Sequence, residues 1–233
     1  MARRIASADS NDQVTDDAAV SIYTVSRTHG KSLNKWAKIL KEIEEQAPYR
    51  GQSYAPFRAA VVSLLQGNEE AENLINDGFE QMMASASARW QQRIVRSMWT
   101  KSVESFGRFS EELAERFGRV HEVYEQPGNT NYVNFEDVPI KGRFHFSADF
   151  DDNQSFVYMV GGAWDVEQTG AFVELLSVIA EEAHDANRQD VLLIDLALQD
   201  PLVRPKTNAK RLRKELLNEA RNLRRLIRAI SQE

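Results

Sequence analysis

The sequence predicts an α+β protein: a mainly α-helical N-terminal part, a small hairpin-helix-strand unit, and a long amphipathic basic C-terminal helix. Three observations carry that expectation. Alternation with period two is clearest between Gly142 and Val160, apolar residues recur at helical spacing through most of 33–124, and cations crowd around an apolar seam from Arg204 to Arg228.

Residues 1–19 read as a disordered acidic arm, small and polar with no periodic apolar positions. Residues 20–125 read as a helical domain. Ser21 to Val25 is expected to form a short strand. Ser32 then caps a helix over Leu33 to Gln46, with Leu33, Trp36, Leu40 and Ile43 as its buried stripe and Pro48 ending it. Pro56 suits a first helical position, Phe57, Ala60, Val61, Leu64 and Leu65 make a second apolar face, and Gly67 terminates it. Asn68 caps the next helix. Helical spacing then persists from Leu74 through Trp90, Phe106 and Val120 with no proline. A single helix of that length would be anomalous, so breaks are expected near Asp77-Gly78 or Ser85 to Ser87, and again between Thr100 and Ser110.

Gln126 to Asn131 is the clearest loop and marks the boundary of an α/β unit at 132–200. Phe144, Phe146 and Ala148 alternate with polar neighbours as in a half-buried strand, Asp151-Asp152-Asn153 turns, and Phe156, Tyr158 and Val160 return antiparallel. Asp165 with Gln168 forms a capping box for a helix that buries Phe172, Leu175, Leu176, Ile179 and Ala183, leaves Glu174, Glu181 and Glu182 off that face, and stops near Asn187. Val191 to Leu198 reads as a strand buried on both faces, with a short buried helix as the alternative, and Asp200-Pro201 closes it. At 205–233 the basic C-terminal helix carries Ala209, Leu212, Leu216, Ala220, Leu223, Ile227 and Ile230 as a narrow seam.

Composition bounds the function. The chain has 233 residues, 42% hydrophobic, and no cysteine, which excludes disulfide scaffolds and thiolate metal sites. No apolar h-region follows the basic first residues and no apolar run reaches bilayer length, so a cytoplasmic protein without a membrane partner is expected. The net charge of −6 hides an asymmetry, because Arg204 to Arg228 holds ten Lys or Arg against Glu215 and Glu219, leaving −14 on the rest. A basic appendage on an acidic body either folds back on it or meets an anionic partner.

No catalytic constellation emerges. Gly30-Lys31-Ser32 has the end of a phosphate-binding loop, but Val25 stands where the first glycine is required. Asp149, Asp151 and Asp152 are the weak alternative for a metal-dependent phosphodiester hydrolase of nuclease type; the same residues suit a hairpin turn, which is preferred, and no lysine follows in Asp/Glu-x-Lys spacing. The four histidines are scattered singly. No metal and no cofactor is expected. Arg89, Arg93 and Arg96 line one helix face beside Trp90, which suits phosphate contact and base stacking, although a solvated face paired with acids on a neighbouring helix is the preferred reading. The expected function is a non-enzymatic binding or assembly subunit that contacts nucleic acid through Lys210, Arg211, Arg213, Lys214, Arg221, Arg224, Arg225 and Arg228, aided by those three arginines. An adaptor that oligomerises through Leu212, Leu216, Leu223, Ile227 and Ile230 is the rival.

Overall fold

The structure, a computed structural model, describes residues 19–50, 55–68, 71–86, 89–117, 120–125, 130–151, 154–160, 165–195 and 202–230. It is α+β, with two mixed sheets and a C-terminal helix. The chain runs β1 (Val20–Ser21), α1 (Ile22–Thr28), α2 (Leu33–Arg50), α3 (Ala55–Leu65), α4 (Ala71–Ser85), α5 (Arg89–Phe117), β2 (Val120–Glu125), β3 (Asn131–Phe135), β4 (Val138–Gly142), β5 (Phe146–Phe150), β6 (Gln154–Val160), α6 (Val166–His184), β7 (Val191–Asp195), β8 (Leu202–Val203) and α7 (Lys210–Ile230).

The larger sheet has the order β2-β5-β6-β7-β8, parallel only between β6 and β7, which α6 connects. Both of its faces are buried, and the alternation along its strands divides them. Phe156, Val191 and Leu193 point to one side, into a core shared with α1, α6, α7 and the smaller sheet β1-β4-β3. Val157, Met159, Leu192 and Ile194 point to the other, where Phe57, Val61, Trp99, Phe106 and Phe109 of α3 and α5 cover them. Every residue of β7 is therefore buried, as a two-sided strand requires.

Several elements follow the sequence expectation. The β5–β6 hairpin pairs Phe146 with Val157 and Asp149 with Gln154. Asp165 accepts the Gln168 N–H at 2.8 Å while Gln168 Oε1 accepts the Asp165 N–H at 3.4 Å, the reciprocal cap that opens α6. Gly67 ends α3 with φ +74°.

Others depart from it. The strand expected at Ser21 to Val25 is only two residues long; α1 takes over because Ile22 and Val25 bury on one helical face while the Ser26 and Thr28 hydroxyls donate to the Ile22 and Thr24 carbonyls. Leu33 is 67% exposed rather than buried, and Trp36 holds the position by donating Nε1–H to the Thr28 and Lys31 carbonyls. α2 continues through Pro48, expected to end it, as far as Arg50. α4 does not break at Gly78. α5 does not break between Thr100 and Ser110: Trp99, Phe106 and Phe109 form one continuous buried stripe, and the glycine within it, Gly107, has open space around it. The break before α5 falls after Ser85, at the second of the two positions expected for it.

Within 20–125, β2 is a strand, not the end of a helix: Val120 and Val123 pack on the second core and β2 pairs with β5 across a bulge between Val120 and Glu122. A second hairpin, β3–β4, turns at Glu136-Asp137 with Glu136 at φ +53°. Phe144 lies outside a strand, between β4 and β5. α6 stops at His184 because Asp185 adopts the left-handed conformation, and its Ala183 is exposed. Glu174, expected off the buried face, is 1% exposed. The acidic arm, the Asp152-Asn153 part of the turn, Leu196 to Leu198 and Asp200-Pro201 lie outside the described residues. No helix among the described residues is long and apolar enough to cross a membrane.

Candidate functional site

The seam of α7 is consumed by the chain itself. Ala209, Leu216, Ala220 and Leu223 are buried in the core with α1 and α6, and Leu212 and Ile227 pack against it; the Ile230 side chain lies outside the described residues. With that face inward, the cations sort into two sets.

The first set is held by the protein's own acids. Arg213 donates Nε–H to Glu174 at 2.5 Å, both terminal nitrogens to Glu181 at 2.8 and 2.9 Å, and one of them to the Ser177 hydroxyl at 3.0 Å. Burial alone would lower the Arg213 pKa, but the bonds to Glu181 and Glu174 outweigh it and raise it, so the guanidinium stays charged. Arg188 reaches the other Glu174 oxygen at 2.5 Å, so one buried carboxylate ties α6 to α7 and to the turn before β7. Arg221 binds Asp137 and Glu136 at the β3–β4 turn, and its hydrogen bond holds the Asp137 carboxyl below its ordinary value. Arg211 pairs with Glu215 one turn on, at 2.8 Å.

The second set faces solvent. Lys210, Lys214, Arg225 and Arg228 are exposed and meet no carboxylate among the described residues. Counting Arg221, the row is spaced by four, seven, four and three residues, which places it in one stripe about 27 Å long on a helix rising 1.5 Å per residue. Arg224 flanks the stripe, half-buried, with its Nε–H lacking a hydrogen-bond partner among the described residues.

Arg89, Arg93 and Arg96 are exposed on α5, but α5 and α7 cover opposite faces of the larger sheet, so the two cationic rows do not converge. The Trp90 side chain lies outside the described residues. Asp149 stands opposite Glu122 across the ladder and accepts from Gln154 at 3.1 Å; Asp151 pairs with His121 at 2.8 Å. No group of three or more potential metal ligands is found among the described residues. Gly30-Lys31-Ser32 joins α1 to α2, and Lys31 there pairs with the α6 cap Asp165 at 3.0 Å instead of presenting to a phosphate.

One concave feature was not legible in sequence. Across the smaller sheet, Ser21, Lys141 and Tyr132 are direct neighbours in register, so their side chains share a face. With Tyr23, Arg143, Tyr158 of β6 and Phe172 of α6 they line a cavity of about 300 Å³. Tyr158 is fixed there: its ring stacks on His145 at 4.1 Å and meets Phe172 edge-on at 4.9 Å, while the Met159 N–H donates to His145 Nδ1 at 3.0 Å. Burial, reinforced by the charges of Arg58 and Arg143, pushes the His145 pKa down to about 3, so the imidazole is neutral. Burial likewise raises the Tyr158 hydroxyl, against the opposing charge of Arg143. Gly142 lets β4 pack closely on the core beside the cavity, because a Cβ there would sit 2.5 Å from Ile22 Cδ1.

No protein-family model matches the chain, and no curated protein matches it either.

Proposed function

We propose that the chain is a non-enzymatic binding or assembly subunit that contacts the nucleic-acid backbone through the outward face of α7. The observation that supports it is the division of the helix: its seam packs inward, Arg213 and Arg221 serve internal acids, and Lys210, Lys214, Arg225 and Arg228 remain as an outward row with no carboxylate partner among the described residues. A row of cations on a rigid helix suits phosphates, which supply affinity without reading sequence.

Four phosphate contacts imply a log-log salt slope of about −3.6 on duplex DNA and about −2.8 on single strands. Fluorescence anisotropy from 50 to 300 mM salt measures it, with Arg225→Glu/Arg228→Glu expected to weaken binding at least tenfold and to flatten the slope. Wild-type binding that is absent, or insensitive to salt and to these substitutions, removes the reading. Binding of an acidic protein in place of nucleic acid by the same face would favour the adaptor alternative.

A further inference from the structure

We propose that the cavity lined by Ser21, Tyr132, Lys141, Arg143 and Tyr158 is a binding site for a small aromatic anion of the mononucleotide class. Three properties converge on that chemistry. Among the described residues its lining carries Lys141 and Arg143 and no acidic residue, so the field inside favours an anion. Its walls are tyrosine-rich: Tyr132 is 40% exposed at the rim, Tyr23 lies beside β1, and Tyr158 is braced from behind by His145. A planar base stacks on such rings whatever its edge. The volume, about 300 Å³, lies at the small end of ligand sites, which suits a single base with its sugar phosphate and not a strand.

The site is also preorganised. Lys141 and Tyr132 are cross-strand neighbours, so the cation that meets the phosphate and the ring that meets the base are set by one ladder register. Arg143 lines the same cavity and hydrogen-bonds the Tyr158 hydroxyl. The Ser21 and Thr130 hydroxyls, also in the lining, supply the short donors that a ribose or phosphate oxygen accepts from. No lining residue comes from α7, so this proposal and the nucleic-acid reading stand or fall separately.

Isothermal titration calorimetry of the full chain with each of the four ribonucleoside 5′-monophosphates tests it, with adenosine and inorganic phosphate as partial probes. At least one nucleotide is expected to bind with one-to-one stoichiometry, about tenfold or more tighter than either partial probe. Arg143→Ala and Lys141→Ala should each weaken it about tenfold, through loss of a charge-assisted contact. Tyr132→Ala should weaken it five- to tenfold while Tyr132→Phe, which keeps the stacking face, binds as wild type. Arg225→Glu/Arg228→Glu should leave the affinity unchanged. Four results each overturn the proposal: no saturable heat with any nucleotide at millimolar concentration, phosphate binding as tightly as the nucleotide, wild-type affinity in Arg143→Ala, or affinity lost with the α7 charges.

Discussion

Glu174→Ala removes the carboxylate on which α6, α7 and the turn before β7 converge. Breaking a buried ion pair by deleting one partner costs about 3–5 kcal/mol, because the remaining charge is left without its counter-charge. Here the acid is 1% exposed, but its partners Arg213 and Arg188 are 28% and 22% exposed and can turn partly to water, so the lower end applies. The expected loss is about 3 kcal/mol, equivalent to roughly 6–12 °C in melting temperature for a chain of this size. Urea unfolding followed by circular dichroism reads it directly. A double-mutant cycle with Arg213→Ala should return a coupling of about 1–3 kcal/mol. Arg211→Ala is the control, since the Arg211 side chain is 92% exposed and its pair with Glu215 is expected to contribute nothing measurable. A change within 0.5 kcal/mol for Glu174→Ala, matching that control, would refute the view that this carboxylate fastens α7.

Two further outcomes follow from geometry. His29 hydrogen-bonds Glu219 at 2.9 Å, which raises its pKa above 6.5 against the opposing effect of burial. A raised folded-state value means a contribution fully present below pH 6.5 and lost as pH rises through the folded value. The melting temperatures of wild type and His29→Gln should therefore converge between pH 6 and 9, and a pH-independent gap would contradict the pairing. Gly142→Ala drives a methyl to 2.5 Å from Ile22 Cδ1, a carbon that burial keeps from swinging aside, and should cost about 1–3 kcal/mol. Ile22→Val deletes that carbon and should recover part of the loss in a thermal melt; failure to recover any would show that the strain lies elsewhere.

Much of the fold was written locally. The Asp165–Gln168 cap, the β5–β6 alternation and the unbroken apolar run of β7 each depend on neighbours within a few residues, and each folds as its pattern predicts. What escaped depends on distant partners. Val120 and Val123 fit a helical stripe as well as a strand, and only the edge of β5 decides between them. The β3–β4 hairpin did carry a signal, Val133 and Phe135 alternating toward Glu136-Asp137 with Val138 and Ile140 beyond, but its turn lacks the glycine that usually announces one. Glu174 looked solvated because the helix wheel places it beside the apolar face; its burial rests on Arg213, 39 residues away. On α7 the helical spacing identified the seam and the cations, while only the tertiary structure separates Arg213 and Arg221, spent on internal acids, from the outward row. The cleft was illegible for the same reason, since Ser21, Tyr132 and Lys141 meet only through strand register and Tyr158 joins them from the other sheet.

The sharing of one core by α1 and α7 has a kinetic consequence. His29 and Glu219 are 190 residues apart in sequence, whereas the β5–β6 hairpin closes over a handful. Closing the longer loop carries its entropic cost before any of its contacts form, so local hairpin and helix structure precedes it. The α1–α7 contact is then a late event on the folding route, absent from much of the barrier. Contacts made after the barrier govern how fast a protein comes apart more than how fast it assembles. His29, Glu219 and their apolar neighbours Val25 and Leu223 accordingly act as a latch that sets the lifetime of the folded state.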